Sequence, residues 1–198
     1  MSIRPIVPAS FPEEMPGPRR WTVEEFFRLA RLGIFAPEER LELIQGEILR
    51  IMPTDPPHSA TVELVRAAMV AAFAGTDVTF KSENPLVLSE NDAPQPDVLV
   101  LRGSIREYAR RHPGPEDVLL LIEVANSTLL TDRRNKSRLY ADAGVPEYWI
   151  VNLRDRCVDV FRHPHSDGWE TGLSFGESER IAPLSAPDRP LAVADLLP

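Results

Sequence analysis

The sequence predicts an α/β domain built on a mixed sheet, and three observations carry that prediction. Two segments read as helices: residues 58–74, which repeat apolar side chains at helical spacing, and 131–143, which Gly144 and Pro146 close. Short runs rich in aliphatic and β-branched residues lie at 78–88, 97–101, 118–125, 147–152 and 156–161. Their order is helix, three strands, helix, strand. It predicts an antiparallel meander, then a strand that the crossover helix returns in the parallel sense.

Each element has a local reason. Residues 1–20 are rich in proline and polar groups and predict a loose arm ahead of one domain over 21–198. Thr22 and Glu25 fit a capping box that opens a helix through Phe26, Phe27, Leu29, Ala30 and Leu32, with Gly33 as its stop. Residues 41–51 alternate around Gln45-Gly46 and predict a hairpin. In the segment 58–74, Val62, Val65, Met69, Ala72 and Phe73 recur at three and four, and Gly75 and Asp77 end the pattern. The strand 78–88 is interrupted at Asn84-Pro85. The helix 131–143 ends at Gly144, with Pro146 just beyond. The last thirty or so residues predict short strands and loops, and no internal repeat is present.

Bulk properties narrow the function. The chain has 198 residues, 43% hydrophobic and 26% charged, which suits one domain with a real core. The one cysteine, Cys157, excludes an internal disulfide and a cysteine-based zinc site. No run approaches the roughly 18 apolar residues of a membrane span. The N-terminus lacks the apolar core of a secretory signal, so the expected compartment is the cytoplasm. A net charge of −8 runs against a broad nucleic-acid footprint. It is compatible with carboxylates that hold metal ions beside a local basic strip.

Two carboxylates and one lysine stand out. Asp97 opens the strand DVLVL after Pro94 and Pro96. Glu123 is the only charge in VLLLIEVA, a run apolar on both faces as a central strand is. A carboxylate there must be protonated, paired or bound to a cation. A bridge to arginine, or a strand end reaching water, would also satisfy it. Lys136 shares a helical stripe with Asp132, Tyr140 and Ala143. It points toward the strand ends if Tyr140 faces the sheet, or pairs with Asp132 in solvent.

These residues carry a resemblance. Asp97 after a proline, with Glu123 in the following strand, resembles the PD-(D/E)xK nuclease motif. Several longer segments resemble the Uma family of restriction-endonuclease-like proteins over about residues 21–162. They are LELIQGEILRIMP at 41–53, His58 at the next helix start, QPDVLV at 95–100, LLLIEVANST at 119–128 and DRRNKSRLYADAGVPEYWIVN at 132–152. The resemblance implies a restriction-endonuclease-like core (helix, three-stranded antiparallel meander, helix, strand) with an added N-terminal helix and hairpin and a C-terminal strand extension. In the wider motif the lysine lies two residues after the glutamate, where this chain has Ala125. The family implies that Lys136, on the following helix, takes its place.

The resemblance implies further roles. His58 is expected in ligand positioning or proton transfer, against a reading as a plain helix cap. Glu47, in the hairpin, is expected at the site, against a reading as a solvated turn residue, with Glu42 as its rival. Asp97 and Glu123 are the expected metal ligands. Two carboxylates at neighbouring strand ends favour Mg²⁺ or Mn²⁺ over zinc. The expected activity is metal-dependent hydrolysis of phosphodiester bonds in nucleic acid, DNA first, by a homodimer with no membrane attachment. Two other classes compete: a nuclease fold that binds nucleic acid or protein without cutting, and a structural, partner-binding subunit. Arg133, Arg134 and Arg138 flank Lys136 and are expected either at phosphates or in solvent. His163 and His165 read as a polar turn, Tyr148 and Trp149 as core, and Cys157 as inert.

Overall fold

A computed structural model of the protein describes residues 17–126 and 136–198. Most of the predicted arm, and the segment holding Asp132, Arg133 and Arg134, lie outside the described residues. Helix α1 (Val23–Arg31) opens with the capping box: Glu25 N donates to Thr22 Oγ1, and Thr22 N donates to the Glu25 carboxylate. Strands β1 (Leu41–Ile44) and β2 (Glu47–Arg50) form the hairpin. Gln45 and Gly46 turn it with φ values of 50° and 74°. A Cβ on Gly46 would lie 2.7 Å from Arg20 Cβ, so the turn needs glycine for space as well as for φ.

Helix α2 (Pro56–Ala72) begins two residues before the predicted start. Asp55 is its N-cap, and the two prolines occupy the first turn, where no N–H is missed. Strand β3 (Val78–Lys81) is shorter than predicted. The chain leaves the sheet where Glu83 takes φ of 52°, just ahead of Pro85. The meander continues in β4 (Val98–Arg102) and β5 (Val118–Ala125). The crossover helix is described as α3 (Ser137–Asp142), and β6 (Glu147–Asn152) follows.

The six-stranded sheet continues through β7 (Cys157–His165) and β8 (Gly168–Gly176), in the order β3-β4-β5-β6-β7-β8. Strands β5 and β6 run parallel, and every other neighbouring pair is antiparallel. The predicted topology holds. The C-terminal region differs from the prediction, because β8 pairs along nearly all of β7. Two short strands, β9 (Arg180–Ile181) and β10 (Leu191–Ala192), then pair with each other.

Alternation assigns each strand residue to a face. Val98, Val100, Ile122, Val124 and Trp149 pack against Val62, Val65 and Met69 of α2. Leu99, Leu121, Ala125, Tyr148 and Ile150 pack with Tyr140 of α3 on the other face. Both layers are closed to solvent, and each fully buried aliphatic side chain contributes about 1.5–3 kcal/mol. The hairpin and α1 have a separate small core of Phe26, Leu43 and Ala93, joined to the rest by the Leu43–Ala93 bridge.

Candidate active site

The strand register builds the site. Val98 pairs with Ile122 and Leu99 with Leu121. One step outward, Asp97 falls opposite Glu123, since 97 + 123 equals 98 + 122. The bend at Asp97 lies at one end of β4, and Glu123 lies in the last turn-ward half of β5. Both side chains are buried, 7% and 3% exposed. Asp97 Oδ2 accepts from Val124 N at 2.7 Å and faces His58 Nε2 at 3.2 Å. Glu123 Oε1 accepts from Tyr140 Oη at 2.7 Å and from Lys136 Nζ at 3.2 Å.

Lys136 reaches a second acid. Its Nζ lies 3.5 Å from Glu42 Oε2, and Glu42 is itself buried. One ammonium therefore faces carboxylates from the hairpin and from the central strand. All five side chains (Glu42, His58, Asp97, Glu123 and Lys136) line one cleft of about 330 Å³. Arg50 and Met52 stand on its hairpin wall. Lys136 is one of two lysines in a chain whose Lys+Arg total is 22, the other being Lys81. A compact amine at this place, in a chain that otherwise uses arginine, is a signal the composition held.

Hydrogen bonds fix the second layer. Asp55 Oδ1 accepts from His58 N at 3.0 Å, and Asp55 Oδ2 accepts from Asn126 Nδ2 at 2.9 Å. The α2 cap is thereby tied to the end of β5. Those bonds, from His58 N first and Asn126 second, hold Asp55 below the usual carboxylate value. For His58, burial is the largest influence and disfavours charge. The hydrogen bond and charge of Asp97, with Asp55 and Glu83 behind them, outweigh it and raise the imidazole above its ordinary value. His58 Nδ1 is buried without a partner among the described residues. Burial first, and the Glu123 charge second, push Tyr140 well above the ordinary tyrosine value, so its hydroxyl remains a donor.

The expected residues divide. Asp97, Glu123, Lys136 and His58 meet in the cleft. The cap reading of His58 fails, because Asp55 is the cap and the imidazole is turned to Asp97. Glu47 does not reach the cleft. It lies opposite Ile44 at the turn end of the hairpin, exposed, and pairs with Arg20 at 2.6 Å. Glu42, paired with Leu49 one step further in on the same face, takes that place. Tyr140 faces the sheet as expected and also reaches Glu123 through its hydroxyl, a contact that the sequence expectation lacks; a tyrosine one turn after Lys136 is the signal for it. Arg138 pairs with Asp142 at 2.8 Å and is no part of the cleft.

The donors fit a hard divalent cation. Mg²⁺ keeps several waters and is commonly held by one or two carboxylates plus substrate phosphates. Asp97 and Glu123 bring two carboxylates together at the β4–β5 register, which suits that incomplete shell. Among the described residues, no group of three or more histidine, cysteine, aspartate or glutamate side chains is placed to hold a metal ion.

A mixed sheet with carboxylates at the ends of two central strands and a lysine from the crossover helix defines the restriction-endonuclease-like class. A family model agrees. Residues 23–194 match the Uma2 family, described as "Putative restriction endonuclease", and the chain belongs to that family. Among solved structures it is similar to a chain from Anabaena variabilis ATCC 29413, described as "a putative nuclease belonging to DUF820". The TM-score is 0.66 at 17% identity, over 88% of this chain and 96% of that one. That likeness establishes the shared fold. No curated protein matches the chain.

Proposed function

We propose that the chain is a divalent-metal-dependent nuclease that hydrolyses phosphodiester bonds, with DNA as its first candidate substrate. The observation that carries this reading is one cleft holding Asp97 opposite Glu123, with Lys136 Nζ 3.2 Å from Glu123. Family membership supports it.

Asp97 and Glu123 would hold Mg²⁺ or Mn²⁺. The bound ion would supply Lewis acidity toward a phosphoryl oxygen and lower the pKa of water. The protein groups do the rest. Lys136 sets a positive charge where charge builds on the phosphate during in-line attack. Ala125, small where the wider motif has its lysine, leaves room for Lys136 to arrive from α3. His58 steadies Asp97 through Oδ2 and stands within reach of proton transfer at the cleft edge. Glu42 anchors Lys136 from the opposite wall. Cutting both strands of a duplex asks for two such sites, which a homodimer would supply. No helix among the described residues is long and apolar enough to cross a membrane, and the reading needs none.

The test is Mn²⁺ calorimetry on the wild type and a folded Asp97→Asn variant, followed by cleavage of supercoiled and linear DNA. Metal binding and cleavage that both disappear in the variant are the expected result. Full cleavage by Asp97→Asn would refute the assignment. The net charge of −8 favours one rival, a non-cutting binding module. DNA affinity in EDTA equal to that with Mn²⁺, and no cleavage, would select it.

A further inference from the structure

We propose that the β7–β8 hairpin is a positioning element for Lys136, with Trp169 as the residue through which it acts. The proposal rests on the nuclease reading for its catalytic consequence, but its geometry is independent of that reading.

Lys136 immediately precedes α3, and its neighbour Ser137 is buried, 7% exposed. Trp169, in β8, donates its indole N–H to both acceptors of Ser137. Nε1 lies 3.0 Å from Ser137 Oγ and 3.1 Å from Ser137 O. A second tie comes from the turn between β7 and β8, where Arg138 Nη2 donates to Ser166 O at 2.6 Å. The two residues after Lys136 are thus both held by a hairpin that contributes no group to the cleft.

The Trp169 ring is fixed in turn. It lies 6.1 Å from the Tyr148 ring and 6.1 Å from Phe161. Tyr148 lies 5.0 Å from Tyr140, whose hydroxyl reaches Glu123. The indole therefore contacts the Lys136 neighbour directly and continues an aromatic stack that ends on the Glu123 carboxylate. Lysine is a flexible four-carbon stem, and a reacting group displaced by an ångström loses much of its rate. The work of this region is to hold the start of α3 so that the ammonium stays between Glu42 and Glu123.

The two-lysine composition gives a direct readout. With lysine labelled at ¹³Cε, the folded chain shows one resonance for Lys136 and one for Lys81, assigned by Lys136→Arg. Trp169→Phe keeps an aromatic ring at this place and removes the N–H. The expected result is a Lys136 resonance displaced toward its value in the urea-unfolded chain, with Lys81 unmoved. In the Mn²⁺ cleavage assay, kcat falls about tenfold while KM and Mn²⁺ affinity stay within twofold of wild type. Arg138→Ala, which breaks the Ser166 tie together with the exposed Asp142 pair, gives a smaller change in the same direction and serves if Trp169→Phe does not fold, with Asp142→Asn as the control for the lost pair. An unmoved Lys136 resonance in both variants overturns the proposal. A displaced resonance with unchanged kcat overturns its catalytic part. A wild type that never cleaves, yet shows the displacement, leaves the positioning intact and removes the nuclease reading instead.

Discussion

Removing one hydroxyl, in Tyr140→Phe, tests whether the carboxylate in β5 is held by the bonds described. Tyr140 is fully buried and its hydroxyl lies 2.7 Å from Glu123 Oε1. Phenylalanine preserves the ring contact with Tyr148, so the lost interaction is the hydrogen bond to an ionised group. Such bonds contribute about 1.5–3 kcal/mol, and the carboxylate left behind is too buried to recover it from water. For a domain of this size each kcal/mol shifts Tm by roughly 2–4 °C, so a loss near ~2 kcal/mol lowers Tm by ~4–8 °C. Lys136 still faces Glu123 in the variant, and both proposed ligands remain. Mn²⁺ affinity should accordingly change by less than about tenfold, well short of the loss in Asp97→Asn. Calorimetric scanning in EDTA and titration with Mn²⁺ measure the two quantities. An unchanged Tm would mean that Glu123 does not depend on this donor, and the account of the buried carboxylate would be wrong.

Two further outcomes follow from the same geometry. Glu147 is fully buried and accepts from Trp149 Nε1, Arg162 Nε and Leu184 N at 2.9, 2.8 and 2.7 Å. Arg162→Leu strands its charge and should cost about 3–5 kcal/mol in urea unfolding; adding Glu147→Gln should return a large part, and a double variant no more stable than the single would refute the charge argument. His58 is raised above its ordinary 6.5, so in metal-free protein its stabilising pair with Asp97 is fully present below pH 6.5 and is lost as pH rises through the raised value. The stability gap between wild type and His58→Gln should shrink as pH rises from 5 to 9; a gap that widens would reverse the sign assigned to this pair.

The sequence made the sheet legible because each central strand is uniformly apolar, and Glu123 stood out as the lone charge in such a strand. Capping at Thr22 and the Gln45-Gly46 turn were readable because their chemistry is local. Glu42 was harder. Its burial depends on where the hairpin docks, which the Leu43–Ala93 bridge decides across fifty residues, and nothing in the alternation of 41–51 separates it from Glu47. The length of β8 is hard to read because Gly168, Gly172 and Gly176 interrupt its side-chain pattern, although all three pair in the strand. The contact of Trp169 with Ser137 joins residues 32 apart and had no local trace at all.

The hairpin that carries Glu42 belongs to no strand of the six-stranded sheet and has its own small core. Its unfolding is therefore a different event from unfolding of the domain. Amide exchange should sort into two tiers, with β1 and β2 in the faster one and β4–β6 at the global limit. Local opening of that wall would leave the floor, with Asp97 and Glu123, assembled. On the proposed nuclease reading, a strand of nucleic acid too long to thread into an enclosed slot would then enter from the side.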